Sequence, residues 1–525
     1  MRPLTLPILA LGALASCGDG APPDAAASPA DAAVTPDAGP SAGRCLSLEG
    51  AAALLPAEGR HTAPHEGLNV VADPARGGVV LSPRLHPGPW VEAGETLPRG
   101  AHDSDGDLYD GRLYVLGGQQ DRFNGEASLL VSTLDADGRA GPWRTATPFM
   151  FGIIDHIVLA HAGRMYLTGG GQSLGNDSFR QQVASWFVTP GEGDLTPWQR
   201  GPDNPRRRFG HEAVIARGFL YTLVGDDGFD AHDDVSVAAL LPDGSIGPWR
   251  VTTPVPEGAL QFIAGAATSR NIWVLGGCRR KNCQLRANIE RRVWVADIGN
   301  DGALSAWRSA GELPVPNYDQ KALMVGGRIV MAGGREGGNS RCGDVGGANY
   351  RDVWWAEVNP DGGLGAWQGG AAEGAAMPRS RSDFILRRDH QNNLWIVGGR
   401  TACDPGESAA FNTNYPRTVW RSALETDPGR ARIGAWTSGP LAVAGRTLEA
   451  LSVDASGPGV RVRFRVAARA APNTWSDWSD AVETRALRLP PDTATVQVEA
   501  ELEGDGTDTG VFRGLSLSCA AAPSP

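Results

Sequence analysis

Several things are scarce in this 525-residue chain, and each scarcity excludes a class of protein. No long stretch repeats its apolar residues every 3.6 positions, so there is no amphipathic helix to build a bundle from. Positive charge is short: 48 Lys and Arg stand against 59 Asp and Glu, a net charge of -11. Nucleic-acid binding in general needs clustered cations to displace phosphate counterions, so that class is excluded. The one compact basic run, Arg279-Arg280-Lys281, reads as a solvated loop. A Gly-Lys-Ser/Thr phosphate loop is absent. Cysteines number only seven, and the Cys278-x4-Cys283 pair lacks the second His/Cys pair that a zinc site requires.

Turn formers and tryptophan are abundant instead, with Gly 70, Pro 38 and Trp 16. That composition points to many short strands joined by tight turns, an all-β chain. At 525 residues, more than one domain or a repeat architecture is expected.

The first 17 residues read as a targeting segment outside the fold. Arg2 is followed by an apolar run, Leu4 to Ala15, too short to span a bilayer. The run closes on Leu14-Ala15-Ser16-Cys17, which resembles the bacterial lipobox. That resemblance implies cleavage before Cys17, lipidation of its thiol and a membrane partner reached through the lipid, with the body in the cell envelope at an outer membrane or cell surface. Residues 18–44 are an Ala/Pro/Asp-rich stretch, and up to residue 43 no large apolar side chain exists to bury, so it reads as a disordered tether. Six cysteines remain, an even count that in an exported chain suggests disulfides. Cys278 and Cys283 share one loop. Cys342 and Cys403 each follow a Gly-Gly pair in successive repeats, and Cys45 with Cys519 would close the ends of the body.

From residue 88 to 440 one unit recurs. An apolar strand ends in Gly-Gly at Gly117-Gly118, Gly169-Gly170, Gly276-Gly277, Gly333-Gly334 and Gly398-Gly399, with Val224-Gly225-Asp226 as a variant. Tryptophans alternate with these pairs, at Trp90, Trp143, Trp198, Trp249, Trp307, Trp367 and Trp436. Asp137-Gly138, Asp243-Gly244, Asp301-Gly302 and Asp361-Gly362 supply the positive φ that a tight hairpin needs. Four strands per unit of about 50 residues is the pattern of a propeller blade.

These residues resemble the kelch family, with Arg208-Phe209-Gly210-His211 and, more loosely, Arg99-Gly100-Ala101-His102 adding its upstream feature. The resemblance implies a kelch-type β-propeller. Six glycine exits give six blades, and seven tryptophan strands leave a seventh open. Residues 445–519 carry alternating strands without a Gly-Gly exit and read as a small C-terminal β-sandwich, the alternative being a divergent seventh blade. Trp475-Ser476-Asp477-Trp478-Ser479 resembles an element of fibronectin-like sandwiches. Residues 45–87 are expected to add strands to that sandwich.

Propellers bind ligands where their innermost strands converge. The residues expected there include His102, Asp155, His156, His211, Glu212, Gln320 and Asp383, beside Asp103, Gln261, Phe262 and Asp319. Histidines in three successive repeats could form a metal-binding rim; alternatively each bonds within its own blade, because repeated positions give repeated environments. No metal or cofactor is expected. The run Asp226 to Asp234 lacks the spacing of an EF-hand and reads as a solvated loop. The tyrosines do not match the copper set of galactose-oxidase-like propellers, and Asp137-Gly138 is wrongly spaced from Trp143 for a sialidase Asp box. Glu212 with Arg206 to Arg208 is a conceivable acid/base pair of the kind that kelch sugar epimerases use. The long loops Gly337 to Asn349 and Thr401 to Tyr415 offer Arg400, Phe411 and Tyr415 as contacts. The expected function is a binding or scaffolding module for protein or glycan partners, and the alternative is an enzyme acting on extracellular carbohydrate at the channel mouth.

Overall fold

Each Gly-Gly pair turns out to end the second strand of a four-stranded antiparallel sheet; five such sheets and a third blade whose sheet extends to six strands make the ring. The computed structural model describes residues 44–520 except 51–53, 56–65, 121–123, 177, 192, 196, 257, 280–282, 284, 338–348, 390–392, 402–414, 484–485 and 508. Cys17, the tether to residue 43, Phe411, Cys342, Cys403, Arg280 and Lys281 therefore lie outside the described residues.

Blade 1 comprises Leu108–Tyr109, Arg112–Leu116, Leu129–Leu134 and Ala140–Ala146; blades 2 to 5 repeat the order. Blade 6 breaks it. Its inner three strands are Ile385–Arg388, Asn393–Val397 and Val419–Arg430, and its outer strand is Pro83–Glu92 from the other end of the propeller sequence. This closure resolves the surplus tryptophan. Trp90 stands in the outer strand of blade 6, and Trp436 stands in Ile433–Thr437, which pairs with Thr493–Glu503 in the sandwich. The propeller thus has six blades. Its strands begin at Pro83 and end at Arg430, so the sequence-based limits of 88 and 440 shift by a few residues at each end.

The repeated residues tie each blade to its neighbour. Trp143, Trp307 and Trp367 donate their indole N–H to the carbonyls of Glu95, Thr253 and Glu312, near the outer edge of the preceding blade. On the second strand, Tyr166, Tyr221 and Trp273 donate to the carbonyls of Gly244, Gly302 and Gly362 in the Asp-Gly turns of the next blade. Those aromatic side chains are fully buried between sheets, where a polar hydrogen needs a partner. The second glycine of each pair donates its N–H to the next blade: Gly118 to Ile153, Gly170 to Arg208, Gly277 to Asn317, Gly334 to Arg381 and Gly399 to Ala101. All ten glycines of the five pairs have positive φ.

The C-terminal part is a sandwich of two sheets. One contains Val70–Asp73, Gly78–Leu81, Leu448–Ser456 and Val511–Cys519, with Arg44–Glu49 added; the other contains Ile433–Thr437, Val460–Ala468 and Thr493–Glu503. Leu48, Leu81, Trp436, Val498 and Phe512 meet in its core. Cys45–Cys519 joins the first and last of its strands, and Cys278–Cys283 closes a short loop on blade 4.

The sandwich seals one face of the ring. It packs on the turns between the first and second strands of blades, away from the glycine exits. Arg270 pairs with Glu501 and Glu503, Arg465 reaches the Gly218 and Leu240 carbonyls, and the amide of Gly327 donates to the Asn69 side chain. Trp478 is buried against blades 3 and 4 and donates to the Arg217 carbonyl. Arg465 lies between Trp475 and Trp478, 4.8 and 5.1 Å from their ring centres. Ser476 and Ser479 accept from the amides of Val466 and Phe464, so the Trp-Ser-x-Trp-Ser stretch is pinned along one sandwich strand and glues it to the propeller.

Candidate binding site at the channel mouth

On the open face the chain enters each blade through one residue with positive φ. These residues are Asp103, Asp155, Gly210, Phe262, Asp319 and Asp383, with φ between 47° and 56°. Aspartate tolerates the left-handed region better than most side chains, which accounts for four of the six. The phenylalanine is the costly exception. Successive positions are linked by backbone hydrogen bonds, Asp155 to Asp103, Phe262 to Gly210 and Asp319 to Phe262, at 2.9, 2.6 and 3.0 Å. Four carboxylates are thereby held around one small pit, whose lining also includes His156, His211, Phe262, Gln320 and Lys321.

The pit is closed below by ion pairs that cross the channel. Arg387 of blade 6 contacts Asp105 of blade 1 at 2.8 Å and donates to the Val158 carbonyl of blade 2. Lys321 of blade 5 lies 3.7 Å from Glu212 of blade 3. Above them, Arg335 pairs with Asp383 at 2.9 Å and Asp319 at 3.5 Å, and Arg400 also pairs with Asp383.

Electrostatics follow from crowding and burial. Asp155 is pushed well above the ordinary carboxylate range by burial, then by Asp103, Asp383 and Asp319. Asp383 is also held well above it, by burial and the neighbouring Asp319. Asp319 is raised to about 6, burial outweighing Arg335. Asp103 goes the other way: its burial is outweighed by His102, whose Nδ1 lies 2.9 Å away, and by more distant cations. Burial lowers His156 to about 4, so its ring is neutral at neutral pH.

The sequence-selected residues divide accordingly. Asp155, His156, His211, Gln320 and Asp383 all line the pit. His102 does not: it precedes its blade's positive-φ residue, whereas His156 and His211 follow theirs, and it stacks on Tyr415 at 4.2 Å. The histidines form no metal rim. His211 hydrogen-bonds Thr168 at 3.1 Å, and no group of three or more metal-ligating side chains is found among the described residues. Glu212 sits one step deeper and faces Lys321, while Arg208 is spent on Asp234 at 2.6 Å and the Val224 carbonyl. The Glu212–arginine acid/base pair is therefore not assembled. The acidic run folds as a turn: Asp227 accepts from the Phe229 and Asp230 amides and pairs with His232. Arg400 belongs to the mouth through Asp383. Sequence reasoning missed Lys321, Arg335 and Arg387, although Lys321 occupies the repeat position of Glu212 and Arg335 follows a Gly-Gly pair as Arg400 does.

Loops of blades 2 to 4 raise a wall beside the pit. Ile153–Ile154, Gly171–Gly175 and Ser178–Gln181 make an extra three-stranded sheet. The long hairpin Phe219–Asp226/Ala231–Ala239 continues through Leu260–Gln261 to Cys278–Arg279. Met150, Leu174, Phe229 and Leu285 stand exposed on these loops, Phe229 at 76%.

No family model matches the sequence. A curated relative, the Kelch domain-containing protein 10 homolog of Drosophila melanogaster, is 30% identical over 172 residues, 29% of this chain and 27% of that protein. The match thus spans about a quarter of that relative. Among solved structures, "Structure of YjhT" aligns with 14% identity over 66% of this chain and 97% of that one, with a TM-score of 0.43. With six blades, paired-glycine exits and inter-blade tryptophans in place, the chain is a six-bladed β-propeller carrying a C-terminal β-sandwich, similar in its repeat to kelch proteins.

Proposed function

We propose that this protein is an exported, lipid-tethered binding module that engages a protein partner through the open face of its propeller. One observation carries the reading: the sandwich covers one face of the ring, leaving the mouth, with its carboxylate pit and apolar-tipped wall, as the face available for docking. The coarser statement, a kelch propeller of the protein-interaction kind, is what the likeness to the Drosophila protein supports. Tethering is supported by the Leu14-Ala15-Ser16-Cys17 sequence and by the position of Arg44, which enters the fold in the sandwich. A tether attached there leaves the mouth facing away from the membrane.

The test has two arms. Metabolic labelling with an alkyne fatty acid should mark the wild-type chain and not C17S; equal labelling removes the anchor. Cross-linking in intact cells should yield adducts that F229D and L285D abolish and that exposed substitutions on the sandwich leave intact. Adducts indifferent to both mouth substitutions would remove the docking face.

A second reading, an enzyme acting on carbohydrate, draws on the Asp319–Asp383 pair, whose carboxyls are hydrogen-bonded to each other. Paired carboxylates with raised proton affinity suit acid/base work. Release of reducing sugar from envelope glycans, lost in D383N, would establish it.

A further inference from the structure

The chemistry of the pit is lopsided. Hydrogen-bond acceptors crowd it, and its cationic side chains are already committed. The acceptors are the carboxylates of Asp103, Asp155, Asp319 and Asp383, joined by the side-chain oxygen of Gln320. That oxygen is fully buried without a hydrogen-bond partner, while the amide nitrogen of the same side chain donates to the Leu275 carbonyl at 2.8 Å. His156 is 1% exposed and lines the same pit, and both its ring nitrogens lack a partner. Lys321, one of only two lysines in the chain, is turned to Glu212, and Arg335 is held by Asp319 and Asp383.

Asp155 is the pivot. Asp103 has His102, and Asp319 and Asp383 have Arg335, but among the described residues no cation lies within salt-bridge distance of Asp155. A buried carboxylate without a counter-ion is costly unless something supplies one. Next to it on the ring, across Gly210, stands Phe262, whose ring packs edge-on to Phe209 at 6.3 Å and tilted against Tyr318 at 6.5 Å. Carboxylates beside an aromatic wall favour a cation. A guanidinium or ammonium group donates hydrogen bonds and accepts none, so it complements a site with acceptors to spare. A sugar hydroxyl both donates and accepts, and fits less well.

We infer that the pit takes one basic side chain, arginine or lysine, projected by the protein partner, while Leu174, Phe229 and Leu285 on the adjoining wall hold the apolar residues flanking it. The inference rests on the docking role proposed above and assigns the partner's chemistry. Surface complementarity of this kind, a desolvated central anchor with an apolar surround, concentrates binding at a few residues.

The probes are nine-residue capped peptides with leucine and phenylalanine flanking a central Arg, Lys, citrulline or Glu, read by fluorescence anisotropy on the mature wild-type chain. Arginine and lysine peptides should bind. Citrulline, which keeps the shape without the charge, should bind at least tenfold more weakly, and glutamate not at all. Asp155→Asn should weaken the arginine peptide at least tenfold with an unchanged or raised melting temperature, and Phe229→Ser should weaken Arg and citrulline peptides alike. Equal binding of arginine and citrulline, or of wild type and D155N, overturns the inference. Glucosamine displacing the arginine peptide at equal concentration also overturns it, by reassigning the pit to amino sugars. If no basic peptide binds while cross-linking stays sensitive to F229D, the cation is wrong and the docking face stands; if both fail, both readings fall.

Discussion

The imidazole of His211 lies directly over Gly169 of the preceding blade: a β-carbon on that glycine would sit 2.6 Å from Cε1 of the ring. His156 over Gly117, Gln320 over Gly276 and Phe384 over Gly333 repeat the arrangement, at 3.0, 2.9 and 2.8 Å. In four of the five pairs the first glycine is therefore a socket for the side chain that follows the positive-φ residue of the next blade, while Gly398 meets Ala101 instead.

Gly169→Ala should consequently be far more damaging than Gly163→Ala. Both glycines have positive φ, but nothing lies within 4 Å of a β-carbon at Gly163. The hairpin substitution should cost about 1–2 kcal/mol, the left-handed penalty alone. The socket substitution adds a clash with a ring and with Arg208, and the total should reach roughly 3 kcal/mol or more. Urea unfolding of the two variants compares them; equal midpoints would show that the socket does not matter.

Asp155→Asn should stabilise the unliganded protein. Asparagine accepts positive φ, so the ring backbone is undisturbed. Burial and three neighbouring carboxylates raise the folded-state proton affinity of Asp155 above its unfolded value. The folded state therefore binds the extra proton, and the penalty of the charged form grows as pH rises. A gain of about 0.5–2 kcal/mol is expected at pH 8 and should vanish toward pH 4. Thermal melts at the two pH values decide it, and a loss of stability at pH 8 would contradict the assignment.

Binding of a basic peptide should be lost on acidification. The carboxylates must be deprotonated to hold a cation, and Asp319, raised to about 6, with Asp155 and Asp383 also raised by burial and their acidic neighbours, take up protons first. His156, lowered to about 4, stays neutral above that value, and Lys321 and Arg335 stay charged throughout. The dissociation constant should rise at least tenfold between pH 8 and pH 5, with proton release on binding at neutral pH. Calorimetry in buffers of different ionisation enthalpy measures both, and a pH-independent constant would rule out these groups.

Trp436→Ala should destabilise the sandwich by about 3–5 kcal/mol. Its side chain is fully buried, donates to the Leu54 carbonyl at 2.7 Å and packs 4.9 Å from Phe512. Trp90→Ala should cost less, because that ring is only partly buried on the edge of blade 6. Comparing the two by denaturant titration separates a core plate from a blade-edge one.

Much of the ring could be read from residues. Paired glycines and Asp-Gly turns have steric requirements that few other residues meet, so they mark strand ends in any context. Tryptophan was less decisive, because Trp90 and Trp436 look alike in sequence and differ only in which strand they pair with across hundreds of residues. The mouth was half legible. Asp155 and Asp383 could be located by counting from a tryptophan, but a one-residue offset moves a side chain from the pit to the gap between blades, and His102 falls on the wrong side of that offset. Arg335 follows a Gly-Gly pair as Arg400 does, so its position carried a signal that was not used, whereas Arg387 reaches the channel from within a strand whose neighbours carry no pattern.

The closure of blade 6 also constrains how the molecule is made. Ser422 donates to the carbonyl of Gly88 across 334 positions of sequence, so the strand Pro83–Glu92 is synthesised long before its partner exists. Until then it presents an open edge, the kind of surface on which chains aggregate. Pro83, Pro87 and Pro89 remove three backbone donors from that edge and make it a poor template for any other strand. The same prolines that loosen the pairing in the finished blade thus guard the chain during its wait, and oxidation of Cys45 with Cys519, 474 positions apart, becomes a chemical record that both ends have arrived.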